Sequence, residues 1–266
     1  ERWKPKAATF MTGIPSPSQH EVTEHWEALV NKVVDTIAGV VDGCLWHPSK
    51  RSRDSDGAAG ETLEILLGLS INNDKKADTA YGEIKTFGNK TGRVTLFSRE
   101  PEYVKSIRKD FFENYHYLDD KGDKCCNIVL SGNKFNTHGL KIDIDRTSER
   151  INIIDKDKGT LKNYWDFSTI EERLKEKHGS GLLHVGREDR KLKGSKLLEY
   201  RFTSLTRYSG VCFERFLDLI DDGTIVVETR MRYRSNHKQP WKNRGTCFRV
   251  PEKKLLSMYD NKEEIR

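Results

Sequence analysis

Four side chains between Gly60 and Ser98 are of types that do chemistry together: Glu64, Asp78, Glu83 and Lys85. Four residues separate Asp78 from Glu83, and Ile84 and then Lys85 follow. Residues 81–87 alternate as a half-buried strand does, so Glu83 and Lys85 point to one face, about 6.6 Å apart at two strand steps. Asp78 falls where the chain turns into that strand. Leu63, Leu66 and Leu67 recur at helical spacing, which puts Glu64 on a short helix packed against the strand's end. Three carboxylates and an ammonium converging there form a site for a hard divalent cation, and Mg²⁺ takes carboxylate oxygens in octahedral geometry while keeping waters. Such a metal activates a water and stabilises charge on a phosphate. The Lys orients or deprotonates that water and steadies the pentavalent phosphorus. The spacing alone is a weak signal, because a chain in which 33% of residues are charged also yields it as an edge strand with a solvated face. The neighbours strengthen it. Residues 95–98 read as a second short strand after a Gly-Asn-Lys-Thr-Gly turn, which sets the site on a hairpin, and Trp46, His47, Lys50, Arg51 and Arg53 make a basic run suited to phosphates.

The elements that must position these groups are legible in outline. Residues 1–19, rich in Pro, Ser and Lys, read as an extended arm. Residues 20–266 read as one domain with two lobes, one centred on 44–130 and the other mostly within 131–250. Trp26, Leu29, Val30, Val33, Val34 and Ile37 recur at helical spacing, with Gly39 and Gly43 as the stop. Residues 44–60 read as a charged loop. Residues 102–115 form an amphipathic pattern with Val104, Ile107, Phe111 and Phe112 inward. Residues 127–130, 140–144 and 151–154 read as strands, and Trp165 and Phe167 as packing aromatics. Residues 168–177 read as a helix with a capping box of Ser168 and Glu171, and residues 182–185 as an apolar strand. The cluster Arg187, Arg190, Lys191, Lys193 and Lys196 reads as a solvated turn or a track for a backbone. Residues 211–220 read as a helix, 224–233 as one long strand carrying Arg230 and Arg232, 246–250 as a strand and 252–259 as a closing helix.

Bulk properties fit a partner of opposite charge. The 266 residues carry a net charge of +6, with Lys and Arg spread along the whole chain. That balance suits a polyanion. Five cysteines, with Cys125 and Cys126 adjacent and no Cys-x-x-Cys pair, read as reduced thiols of a cytoplasmic protein rather than a zinc cluster. No apolar run reaches membrane-spanning length. The chain opens on Glu1, as a piece of a longer chain would. It contains no phosphate loop, no Gly-rich dinucleotide motif and no Ser-His-Asp spacing.

A longer pattern then carries a resemblance. From Trp46 the order runs Trp-His, Lys-Arg, Gly-x-Thr-x-Glu, Asp-x4-Glu-Ile-Lys-Thr and Thr-Leu-Phe-Ser. It continues through Ser131-Gly132-Asn133, Lys141-Ile142-Asp143-Ile144-Asp145, Trp165-x-Phe167 and Gly245-Thr246-Cys247-Phe248-Arg249. From about Val40 to about Tyr259 this resembles the MvaI/BcnI family of restriction endonucleases, nearer its MvaI branch, with an active site similar to that of MutH. The resemblance implies a PD-(D/E)XK nuclease core of class α/β (α+β), a mixed sheet flanked by helices, with a second DNA-recognition lobe forming a cleft around duplex DNA. Matched by position, Asp78, Glu83 and Lys85 fall on the catalytic triplet, Glu64 on the helix-borne carboxylate and Arg249 on the arginine of the base-reading segment. Cys247 stands where the BcnI branch has a histidine, and residues 240–243 differ from both branches.

The expectation that follows is a type II, Mg²⁺-dependent endonuclease acting as a monomer on a short pseudosymmetric site such as CC, then A or T, then GG. One or two Mg²⁺ ions would be held by Asp78, Glu83 and the Ile84 carbonyl. DNA contacts are expected from Lys50, Arg51, Asn133, Arg230, Arg232 and Arg249. A MutH-like nickase and a non-catalytic DNA-binding module are the alternatives, and cleavage by the isolated chain separates them.

Overall fold

The computed structural model describes residues 33–49, 57–68, 82–88, 92–102 and 105–266. The first elements among the described residues are α1 (33–42), β1 (His47–Pro48), α2 (Ala58–Leu66), β2 (Glu83–Phe87) and β3 (Arg93–Ser98). Then come α3 (Lys105–Tyr115), β4 (Tyr117–Leu118), β5 (Lys124–Cys126), β6 (Val129–Leu130), β7 (Leu140–Asp145), β8 (Arg150–Asp155) and β9 (Gly159–Asp166). The rest comprises α4 (Phe167–His178), β10 (Leu182–Lys191), β11 (Leu198–Val211), α5 (Phe213–Asp221), β12 (Val226–Glu228) and β13 (Met231–Tyr233). The chain closes with β14 (Trp241–Asn243), β15 (Cys247–Pro251), a 3-10 helix (Glu252–Met258) and β16 (Tyr259–Glu264).

The largest sheet holds the catalytic strand. Its order is β1-β11-β10-β2, with β16 added on β11. β2 runs parallel to β10 and all other pairs are antiparallel, so the sheet is mixed. Alternation decides what each face does. Ile84, Leu183 and Val185 point one way and pack on Ile37, Ala38 and Val41 of α1 and on Ala58, Ala59 and Leu63 of α2. Each such side chain withdrawn from water contributes about 1.5–3 kcal/mol. Phe87, Leu182 and Tyr208 point the other way, into a second and larger core that includes Trp165, Phe216 and Phe248. Helices therefore cover a mixed sheet, which is the α/β class the sequence implied. Three smaller sheets, β3-β15-β12-β6, β14-β13-β5-β4 and β7-β8-β9, build the remainder. No helix of the described residues is long and apolar enough to cross a membrane.

Several boundaries differ from the sequence reading for identifiable reasons. α1 runs through Gly39 and stops at Gly43, because one glycine inside a helix costs only about 1 kcal/mol. β3 is no hairpin partner of β2: it pairs with β15 in another sheet, while β2 takes β10. The stretch 224–233 is two strands, since β12 pairs with β15 and β6 while β13 pairs with β14 and β5. Thr229 makes the switch: its hydroxyl donates to Cys126 O (2.8 Å) and accepts from Ile128 N (3.1 Å). The capping box at Ser168 does not form; Asp166 is the N-cap of α4, and its carboxylate accepts from Arg150 Nε at 3.1 Å instead. The cluster beginning at Arg187 is mostly strand, with Arg187 paired to Asp189 and Arg190 to Glu199. β11 and β16 were not anticipated. A register shift opposite Gly186/Arg187 interrupts the two-residue period of β11, and β16 is almost wholly exposed, so neither shows a clean alternation. All five cysteines are free thiols.

Candidate active site

The carboxylate of Glu83 is almost fully buried at the start of β2 and held by two ammonium groups. Lys85 Nζ donates to Oε1 at 2.7 Å, and Lys177 Nζ donates to Oε2 at 2.8 Å. Burial pushes the Glu83 pKa up, but Lys85 and Lys177 outweigh it and hold the carboxyl below its ordinary range. An ionised carboxylate is thus fixed on an edge strand with both oxygens oriented. Lys85 remains partly open to solvent, with 22% of its side chain exposed against 10% for Lys177.

Backbone geometry creates this meeting. Gly82 has φ +124°, and a Cβ there would lie 2.3 Å from Gly181 O. Gly181 has φ +107°, and its own Cβ would lie 2.4 Å from Tyr208 O. Only glycine accepts both the dihedral and the contact. The pair lets the start of β2 approach the turn between α4 and β10, where Glu83 N donates to Gly181 O at 3.2 Å. α4 delivers Lys177 from its last turn, and the next residue anchors it. His178 is fully buried between Leu96 O (3.2 Å from Nε2) and the Tyr259 hydroxyl (2.8 Å from Nδ1). A carbonyl can only accept, so Nε2 carries the proton and Nδ1 accepts from Tyr259. Burial lowers the His178 pKa to about 4, which keeps the ring neutral.

The remaining expected site residues are distributed as follows. Glu64 lies on α2 as expected, one residue after Leu63, which packs with Ile84. Asp78, Lys50 and Arg51 lie outside the described residues. Ile84 follows Glu83 on β2 with its side chain in the smaller core. Among the described residues no three His, Cys, Asp or Glu side chains converge as a ready metal site. Asn133 is tied into its loop, donating to Asp222 O (2.9 Å) and accepting from Ser131 Oγ (2.8 Å). Arg230 donates to Arg244 O (2.6 Å) and Gly245 O (3.3 Å), bracing the segment before β15. Arg232 is paired with Asp119 and donates to Cys125 Sγ at 3.2 Å. Arg249 is paired with Glu228 and donates to Arg93 O at 3.0 Å. Arg230 and Arg232 nevertheless line a cavity of about 370 Å³ together with Arg234, Lys242, Arg244, Asn127 and Glu228. Five cations surround this hollow, offset in part by Glu228 in its wall and by Asp119 on Arg232. Lys177 was missed by sequence reasoning, since a lysine in the last turn of a helix reads as an ordinary dipole partner. Only the fold brings it 94 positions back to Glu83.

A carboxylate kept ionised between lysines on a sheet edge offers hard oxygen donors beside cationic groups, the chemistry that phosphodiester hydrolysis uses. The comparisons narrow that chemistry: residues 40–259 match the model of the MvaI/BcnI restriction endonuclease family, and the chain belongs to it. It is a type II site-specific deoxyribonuclease that binds DNA, and enzymes of this class use a divalent metal ion. The fold is similar to that of a solved structure titled "Restriction endonuclease MvaI-cognate DNA substrate complex", with TM-score 0.76 and 25% identity over 89% of this chain and 98% of that one. It is also similar to "Restriction endonuclease MvaI in the absence of DNA", with TM-score 0.53 and 24% identity over 95% and 100% of the two chains. No curated protein matches the sequence.

Proposed function

We propose that the chain hydrolyses both strands of duplex DNA at a short pseudosymmetric sequence, CC followed by A or T and then GG, with Mg²⁺, one strand per binding event. The observation that carries this reading is the ionised Glu83 held between Lys85 and Lys177. Glu83 and the Ile84 carbonyl, with Asp78 preceding them, supply the hard oxygen donors that Mg²⁺ selects. When bound, the ion supplies Lewis-acid stabilisation of charge developing at phosphorus and lowers the pKa of a water. Glu83 stays deprotonated at neutral pH because its two lysines favour the charged form. Lys85, the more open of the two, faces incoming phosphate and orients the attacking water. Lys177 holds the second oxygen of Glu83 and so fixes the carboxylate plane. Glu64 on α2 stands as an outer carboxylate. The ends produced carry a 5′ phosphate.

Contacts outside this centre place the DNA. Lys50 and Arg51 take phosphates, with Asn133 bracing the recognition loop. Arg230 and Arg232 present the basic hollow to the duplex. Arg249 reads the central pair from the minor groove, where A·T and T·A look alike, and must first exchange its Glu228 contact. An odd-length target has a base pair on its axis, where a symmetric dimer would meet a centre that lacks its two-fold symmetry. In this reading the enzyme works as a monomer, in the cytoplasm where its DNA is. Incubating the protein with supercoiled plasmid and Mg²⁺, then sequencing the ends, tests this reading. Ends at one pseudosymmetric sequence, with nicked circles preceding linear DNA, are expected. Scattered ends would overturn the specificity, and linear product with no nicked species would overturn the one-strand order.

A further inference from the structure

The hairpin of β10 and β11 extends beyond the sheet that carries the cleavage strand. β2 ends at Phe87, opposite Gly186, yet β10 and β11 stay paired out to Lys191 and Leu198. Residues 187–201 therefore project as a two-stranded arm. The register shift at Gly186/Arg187 sits at its root, where such irregularities bend a strand. The arm is built to hold its shape. Tyr200 and Phe202 are buried in the smaller core, and β1 pairs with Tyr200 and Glu199. The guanidinium of Arg190 lies over the Trp46 ring at 4.0 Å. At the tip Leu192 N donates to Leu197 O at 2.9 Å, and Gly194 takes a φ of +76°, which glycine adopts without strain.

Charge along the arm is sorted by position. It carries six cations and three carboxylates. Each carboxylate is taken by an arginine of the arm itself: Asp189 by Arg187, Glu199 by Arg190 and Glu188 by Arg201. The surplus is Lys191, Lys193 and Lys196, all exposed at the tip and without an acidic partner among the described residues. Three like charges on one tight turn repel one another, and a row of phosphates relieves that repulsion while releasing counterions. Reach decides which phosphates these are. Lys85 stands across from His184, and Lys191 lies seven residues further along β10, about 23 Å away at the rise of a strand. Nucleotides follow one another at about 3.4 Å along a DNA strand, so this separation spans about seven base pairs. That is longer than the reach from the centre of CC, A or T, GG to either of its ends.

We propose that the β10–β11 arm is an additional DNA contact, which lays Lys191, Lys193 and Lys196 against backbone phosphates of the duplex flanking the recognition sequence. The inference rests on Glu83 and Lys85 marking the cleavage strand, and on nothing else in the cleavage chemistry. Phosphate contacts carry no sequence information, so the arm adds affinity and not specificity. Because the arm is already ordered, little conformational entropy is lost when it binds.

The test is fluorescence anisotropy in Ca²⁺ with two duplexes centred on CC-T-GG, of about ten and about thirty base pairs, of which only the longer reaches the tip. Wild-type protein is expected to bind the longer one about tenfold more tightly after correction for the number of registers it offers. Lys191→Ala, Lys193→Ala and Lys196→Ala combined should erase that gain. The same triple variant should lower the slope of log affinity against log salt by about 3 on the longer duplex and leave it unchanged on the shorter. Equal wild-type affinity for both lengths overturns the proposal. So does a variant that keeps the length gain, or one that weakens both duplexes alike. If the melting temperature of the triple variant shows misfolding, Lys193→Glu, a single change at an exposed position, is held to the same outcomes. Failure of the proposed site shows separately, as equal affinity for duplexes with and without CC-T-GG, because the arm's salt slope needs no particular sequence.

Discussion

Replacing Lys177 with methionine isolates one half of the clamp on Glu83. Methionine keeps most of the apolar stem, so packing around the last turn of α4 changes little. The Glu83 side chain is only 6% exposed and loses its 2.8 Å partner while keeping Lys85 at 2.7 Å. Losing one partner of a buried pair costs about 3–5 kcal/mol, and the retained Lys85 puts this case near the low end, about 3 kcal/mol at about pH 8. A proton can stand in for the lost lysine, which fixes the sign of the pH dependence. In the wild type the depressed Glu83 pKa contributes stability above the unfolded value of 4.5, lost as pH falls through the folded value. In Lys177→Met the folded pKa rises, so the carboxyl protonates earlier and the deficit shrinks as pH falls, by at most about 1.4 kcal/mol per unit. Urea unfolding at about pH 8 should therefore show a midpoint lowered by about 1 M, and the gap should narrow toward about pH 5. The acid limb of the cleavage profile should move up in parallel, because ionised Glu83 is the working form. A deficit below about 0.5 kcal/mol, or one that is constant with pH, would refute the clamp.

Other consequences are equally direct. Lys85→Ala should abolish cleavage in Mg²⁺ while DNA binding in Ca²⁺, followed by gel shift, stays within a few fold; robust cutting would remove Lys85 from the mechanism. DNA affinity should fall linearly on a log–log plot against salt, as release of phosphate counterions requires, and a flat response would count against the basic hollow. His178, neutral in the fold with a pKa of about 4 against 6.5 unfolded, makes stability fall as pH drops from 6.5 toward 4, by about 3 kcal/mol in total. His178→Gln, which keeps a polar planar side chain, should flatten that slope in thermal melts. Gly82→Ala should cost more than 3 kcal/mol or prevent folding, because its Cβ would strike Gly181 O at 2.3 Å at a φ of +124°.

By itself the sequence determined what is local or periodic. Two-residue alternation put Glu83 and Lys85 on one face, and helical spacing put Glu64 on a helix that packs by Leu63 onto Ile84. The long ordered pattern of motifs determined the family. Burial of Trp165 followed from its apolar mass. Tertiary structure alone decided what depends on partners distant in the chain. Which strand pairs with β2 is set by parallel register to β10, about a hundred residues away, and neighbouring sequence cannot report it. The single stretch 224–233 splits between two sheets because Thr229 finds Cys126 and Ile128. Arg230, Arg232 and Arg249 read in sequence as DNA contacts, Arg249 by resemblance as a base reader, and only the fold shows that each acquires its own tertiary partner. Lys177 carries no local mark of its role, because a salt bridge is a fact of distance in space. It was Gly82 passing against Gly181, and His178 anchored by Tyr259, that brought this lysine to Glu83.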